Sequence, residues 1–160
     1  MEHLGSLTEL SLYFLAAINP ASKIFLLASS DPPYTRRELL LVSAKASLAA
    51  LLILTVLAVS GQYILLEIFS IKLYSLKIAG GIVLFTVGMK AVSKGRFYEQ
   101  EDLRTNADIS IVPLAAPLIA GPATIAAGIA MVPINGLIAT LSAITVAITV
   151  NFLLMTLSRH

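Results

Sequence analysis

Most of this chain consists of apolar stretches about as long as a lipid bilayer is thick. Of its 160 residues, 58% are hydrophobic and only 12% are charged, whereas a soluble domain is about 25% charged. A polypeptide inside hydrocarbon must satisfy its backbone N–H and C=O groups internally, which favours helices. A helix needs about 20 apolar residues to cross. The sequence therefore predicts an all-α membrane protein with about five transmembrane helices.

Turn residues and charges divide the chain into five predicted spans. Asp31, Pro32 and Pro33 end the first, Gly61 ends the second, and the segment from Pro133 to Gly136 is predicted to form a tight turn between the last two. The predicted spans cover residues 7–29, 39–60, 73–92, 109–132 and 137–157.

The basic residues predict how the helices are oriented. Arg36 and Arg37 follow the first span, four more Lys and Arg residues lie between positions 90 and 104, and Arg159 follows the last span. If the spans alternate, these groups all lie on one side, which is expected to be cytoplasmic. Lys72 and Lys77 do not fit this orientation unless their side chains snorkel outward from the start of the third span. The prediction is a multi-pass protein of the cell membrane with its N-terminus outside.

Two similar motifs interrupt the first and fourth spans. They are Asn19-Pro20-Ala21-Ser22 and Gly121-Pro122-Ala123-Thr124. Proline lacks a backbone donor and opens the helix, and paired breaks in corresponding halves of a membrane protein point to a transporter site. The two spans run in opposite directions, as in an inverted three-helix repeat. We expect a first repeat over 1–94, a cytoplasmic loop over 95–108 and a partial second repeat over 109–160; the alternative is two ordinary proline kinks.

The second repeat is expected to lack its third helix. Gly80 and Gly81 lie in the third span, and their counterparts would fall beyond His160. A stripe of small residues in the fifth span would then be uncovered and could pack closely against another helix. The expectation is either a homodimer formed through this stripe or a shortened version of a six-helix parent. The stripe consists of Ala139, Ala143 and Ala147.

The breaks also define the candidate binding site. After each proline, a half-helix begins whose N-terminal N–H groups and positive dipole end can bind a carboxylate. Two alternatives stay open: the hydroxyls can bond back to their own helices, and the lysine can either act inside the membrane or snorkel to its surface. The predicted substrate-binding residues are Asn19, Pro20, Ser22, Lys23, Gly121, Pro122 and Thr124.

Several classes of function are disfavoured by the composition. The chain has no Cys, and both His3 and His160 are terminal, so no catalytic residues, metal site or cofactor are predicted, and an intramembrane enzyme is disfavoured. Glu9 and Glu67 are the acidic residues near the outer surface, which makes a carboxylate proton relay within the membrane unexpected. The sequence has no basic patch with interleaved aromatic residues, so it does not predict nucleic-acid binding. The expected partners are the lipid bilayer and a small-molecule substrate.

Three segments resemble those of MarC-related membrane proteins. Residues 19–25 (NPASKIF) are similar to the Asn-Pro-x-x-Lys signature of helix one, 76–85 (LKIAGGIVLF) to the helix-three segment, and 112–122 (VPLAAPLIAGP) to the helix-four segment. The resemblance implies a six-helix protein of the bacterial or archaeal cytoplasmic membrane. SnatA-like members carry small neutral amino acids, so it implies such a transporter. The alternative is a non-transporting or truncated membrane component that needs a partner chain.

Overall fold

The structure is a computed structural model that describes residues 2–28, 34–64, 73–94 and 119–157. Every element in these ranges is a helix, as predicted. The predicted loop 95–108 and the first part of the fourth span, 109–118, lie outside the described residues. The helices are α1 (Glu2–Ile18), α2 (Pro20–Ala28), α3 (Arg36–Tyr63), α4 (Leu73–Lys94), α5 (Pro122–Asn135) and α6 (Leu137–Leu157).

The first predicted span is two helices that meet at Asn19. Helix α1 ends at Ile18 and α2 begins at Pro20. Asn19 has a φ of 55° and is the one non-glycine residue with positive φ in the described ranges. Asparagine tolerates this left-handed conformation better than most residues. The predicted break in the first helix is confirmed.

Helix α3 is longer than predicted at both ends. At its start, Thr35 and Glu38 form a capping box in which each side chain bonds the other residue's backbone N–H, so the helix begins at Arg36. The prediction that it stops at Gly61 was wrong. Gly61 lies within the helix, and a Cβ there would come within 2.6 Å of Ile129 Cγ1. This glycine permits close packing of α3 on α5.

Helices α5 and α6 form a hairpin whose turn is shorter than predicted. Pro133 lies inside α5 instead of in a turn, and the reversal is concentrated at Gly136, which has a φ of 84°. Gly136 donates its N–H to the Val132 carbonyl, and the Thr140 N–H in turn donates to the Gly136 carbonyl. One glycine in a conformation that other residues avoid is enough to reverse the chain here.

Helix α6 is the central element of the described bundle. It contacts α1, α2, α3 and α5. Ala143 and Ala147 are 0% and 1% exposed, so these two members of the predicted small-residue stripe are already covered within the chain. Ala139, the third member, is only half-buried. Small side chains let the neighbouring helices of the same chain approach closely here, and the homodimer or shortened six-helix parent stays a prediction.

The outer faces of the helices are apolar. Two helical stretches, Arg36–Gly61 and Leu137–Leu157, are long and apolar enough to cross a membrane. Only 39% and 33% of their most apolar windows are buried inside the protein, whereas the core helix of a soluble protein would be mostly covered. Phe25, Leu48 and Phe85 are among the large side chains that lie exposed. Such surfaces are expected where lipid, not water, surrounds the helices.

Candidate functional site at the helix breaks

The left-handed conformation of Asn19 rearranges the hydrogen bonds around the first break. The Ser22 N–H, which a regular helix would direct to the Ile18 carbonyl, donates to the Asn19 carbonyl at 3.3 Å. The Ile18 carbonyl oxygen instead accepts a hydrogen bond from Lys23 Nζ. The lysine side chain therefore crosses the break and caps the end of α1.

Lys23 is buried, with 3% of its surface exposed. Its ammonium lies within the bundle, which favours the interpretation that it acts inside the membrane over snorkelling. Lys45 in α3, by contrast, is exposed. Within the described residues, Lys23 forms no ion pair with a carboxylate, and its hydrogen-bond partner is the neutral Ile18 carbonyl.

The second break lies at Gly121. Gly121 is extended, with φ −75° and ψ 168°, and α5 begins with Pro122 in its first turn. Thr124 is 1% exposed, and its Oγ1 donates to the Ile119 carbonyl at 2.9 Å and the Gly121 carbonyl at 2.8 Å. The two carbonyls share the single hydroxyl proton, and the Gly121 carbonyl also accepts a hydrogen bond from the Ile125 N–H at 2.9 Å.

The two motifs share one hydrogen bond in equivalent positions. Ser22 Oγ donates to the Asn19 carbonyl at 2.8 Å, and Thr124 Oγ1 donates to the Gly121 carbonyl at 2.8 Å. In each case the hydroxyl two residues after the proline bonds the residue before it. The backbones differ, because Asn19 is left-handed and Gly121 is extended. Both hydroxyls bond back to their own segments, which was the alternative reading for them.

Helix contacts bring the two breaks into one core. Helix α1 packs on α5, and α2 packs on α6. Ile18 precedes the first motif, Ala120 precedes Gly121 in the second, and both belong to the same cluster of buried residues. Pro20 is half-buried and Pro122 is exposed. The residues next to the two breaks therefore belong to one core, whereas each set of hydrogen bonds is formed within its own motif.

The charge at the first break is net positive. The C-terminal end of α1 carries a partial negative charge and the N-terminal end of α2 a partial positive charge of similar size. Lys23 adds a full positive charge and is bonded to the last carbonyl of α1. A cation in the first turn of a helix is unfavourable in itself. The arrangement is suited to a bound anion, which would offset both the lysine and the helix end.

Three buried polar residues whose side-chain oxygens lack a hydrogen-bond partner among the described residues were not predicted as site residues. Asn151 is 0% exposed, and its Oδ1 is one of these oxygens. Ser43 and Ser47 are buried on α3, and their hydroxyl oxygens are the other two. A polar amide inside the very apolar fifth span was the signal that could have revealed Asn151.

Residues 4–160 match the MarC family of integral membrane proteins. The chain belongs to this family. The match covers both breaks and all of the described helices apart from the first two residues of α1. Membership confirms the resemblance seen in the sequence and establishes a membrane protein.

Relatives come from archaea and bacteria. The chain is 32% identical over 150 residues to a UPF0056 membrane protein of Pyrococcus horikoshii, covering 94% of this chain and 74% of that protein. It is 35% identical over 132 residues to one of Aquifex aeolicus, covering 78% of the chain and 61% of the relative. UPF0056 membrane protein YvbG of Bacillus subtilis is 30% identical over 118 residues, or 69% of the chain and 56% of the relative. No solved structure matches significantly.

Proposed function

We propose that this MarC-family protein takes part in the transport of small solutes that carry a carboxylate, with neutral amino acids as the leading class. The carboxylate binds at the first break, beside Lys23 and the N-terminus of α2. The second break contributes the N-terminus of α5, which carries no charged side chain but has the partial positive charge of a helix end. The proposal assigns binding and translocation to the chain, and no catalysis.

The observation that carries this proposal is the buried ammonium of Lys23. A buried charge without an opposite charge is costly, and ionisable groups within membrane spans mark substrate or ion pathways by default. Lys23 is 3% exposed and has a neutral carbonyl as its partner. A solute carboxylate supplies the missing negative charge, and it leaves again when the solute is released.

The preference for small solutes is supported by the close packing of the buried core. Residues beside both breaks, Ile18, Ile119 and Ala120, belong to one buried cluster, and such a core leaves little space for a solute with a long side chain. The local charge is positive, which favours a neutral side chain over a basic one.

Uptake by proteoliposomes containing the purified full chain tests the proposal. Labelled alanine should be taken up, lysine should not, and propionate should compete because it keeps the carboxylate. Ethylamine, which keeps only the amino group, should compete at least tenfold less well. If ethylamine competes and propionate does not, the protein recognises the amino group of the solute and not its carboxylate. That result would contradict the proposal.

A further inference from the structure

We propose that Ser43, Ser47 and Asn151 form a binding site for a small cation between α3 and α6. The shared chemistry is a positive group held by neutral oxygens. Two sources fit it: the ammonium group of a solute, or a monovalent metal ion. The first source rests on the function proposed above, and the second does not.

The starting point is that three buried oxygens lack partners. Asn151 and Ser43 are each 0% exposed and Ser47 is 7% exposed. Asn151 Oδ1, Ser43 Oγ and Ser47 Oγ form no hydrogen bond within the described residues. Buried polar atoms are nearly always hydrogen-bonded, and each exception calls for an explanation such as a bound ion or ligand.

The two serines behave differently from other hydroxyls in these helices. Ser60, on the same helix, donates to the Val56 carbonyl at 2.7 Å, and Ser11 donates to the Leu7 carbonyl at 2.7 Å. This local bond is the usual solution for a hydroxyl in an apolar helix. Ser43 and Ser47 do not use it. Their oxygens are left available to a ligand.

Asn151 presents an acceptor in the same way. Its Nδ2 donates to Met155 Sδ at 3.2 Å, which directs the amide nitrogen toward a thioether, a weak acceptor. The carbonyl oxygen remains unbonded. An amide oxygen can accept hydrogen bonds or coordinate a cation, but it cannot donate.

Helix packing brings these residues to one level. Helices α3 and α6 are in contact. Ser43 lies about two turns from the start of α3, and Asn151 just under two turns from the end of α6, at about 3.6 residues per turn. In the predicted topology the two helices cross in opposite directions, so these positions share a depth. Ser47 lies about one turn deeper on the same face as Ser43.

A cation fits this set better than an anion does. The available groups are one amide oxygen and two hydroxyl oxygens, all neutral, and hard monovalent cations and ammonium groups prefer such oxygen ligands. An anion would be repelled by the unbonded amide oxygen. Lys23 lies on α2, which also packs on α6, so the solute ammonium is a source for this site only if one small solute spans the distance between Lys23 and Asn151.

Thermal unfolding of the purified full chain in detergent tests this inference. The melting temperature is measured in choline chloride, then with NaCl or KCl at constant ionic strength, and separately in choline chloride with alanine or propionate. The variants are Ser43→Ala, Ser47→Ala and Asn151→Leu, which is close in shape. Ser60→Ala is the matched control, because it removes a hydroxyl from the same helix outside the cluster.

If the site takes a metal ion, Na⁺ or K⁺ alone raises the melting temperature of the wild type and of Ser60→Ala. The concentration for half of the shift then rises at least tenfold in Ser43→Ala and Asn151→Leu. If the site takes the solute ammonium, alanine raises the melting temperature of the wild type in choline chloride. In Asn151→Leu, alanine no longer raises the melting temperature, whereas propionate still does.

The inference is overturned if neither salt nor alanine shifts the wild type, or if every shift persists in the three variants. Replacement of Asn151 by Leu also removes an unsatisfied buried group, so this variant should be at least as stable as the wild type in choline chloride. A sodium shift with no response to propionate would support this site while contradicting the function proposed above.

Discussion

Lys23 donates a hydrogen bond from its ammonium to the Ile18 carbonyl, across the break that Asn19 makes in the first membrane-spanning segment. The bond links the last residue of α1 to the first turn of α2. It satisfies a carbonyl that the left-handed turn has released, and it places a full positive charge inside the bundle. One side chain thus both stabilises the broken helix and supplies the positive charge on which the proposed binding of a carboxylate depends.

The left-handed conformation of Asn19 makes its replacement by Ala destabilising. A residue with a Cβ pays roughly 1–2 kcal/mol in this region, whereas glycine does not. Asn19→Ala should therefore unfold more readily than Asn19→Gly in a thermal or denaturant titration in detergent. Equal stability of the two variants would show that the backbone at this position is not left-handed.

Because α3 and α5 approach closely at Gly61, we expect Gly61→Ala to be less stable than the wild type. In Gly61→Ala, the new Cβ would meet Ile129 Cγ1 at 2.6 Å, and overpacking of this kind costs about 1–3 kcal/mol. Shortening the opposing side chain in Gly61→Ala/Ile129→Ala should recover part of the loss relative to the sum of the single variants.

Gly81→Ala is the matched control for that pair. A Cβ at Gly81 would have no atom of the described residues within 4 Å, so this change should leave the unfolding free energy unaltered or raise it by about 0.5–1 kcal/mol through helix propensity. Both measurements come from unfolding in the same detergent. A destabilised Gly81→Ala together with an unaffected Gly61→Ala would contradict the packing described here.

At the second break, we expect the stability of the protein to depend on the hydroxyl of Thr124 and not on the shape of its side chain. Thr124→Val removes the hydroxyl proton that the Ile119 and Gly121 carbonyls share, which leaves the Ile119 carbonyl without this donor and should lower stability by about 1–3 kcal/mol. Thr124→Ser keeps the donor and should stay close to the wild type. Thermal unfolding distinguishes them, and a Val variant as stable as the Ser variant would show that the hydroxyl is not needed.

The orientation of the chain remains a prediction and can be tested by labelling. Single cysteines at Arg37 and Asn135, both exposed, should react from opposite sides of the membrane. With the N-terminus outside, an impermeant maleimide added to intact cells should label the cysteine at position 135 and not that at position 37. The reverse pattern would invert the topology.

The apolar stretches and prolines were sufficient to predict the helices and the break at Asn19, because bilayer thickness and the missing proline donor act locally. The end of α3 was misplaced because Gly61 serves a contact with Ile129, which lies far away in sequence. Pro133 was misassigned because a nearby glycine, Gly136, makes the turn instead. Asn151 was missed because its burial depends on which helices surround α6.

The central claim is that the buried charge of Lys23 binds the solute carboxylate. Alanine uptake into proteoliposomes should fall at least tenfold in Lys23→Met, whereas Lys45→Met, which removes an exposed lysine from α3, should retain uptake near the wild-type rate. Both variants should be compared at equal reconstituted amounts, with folding verified by thermal unfolding. Wild-type uptake in a folded Lys23→Met protein would contradict the account.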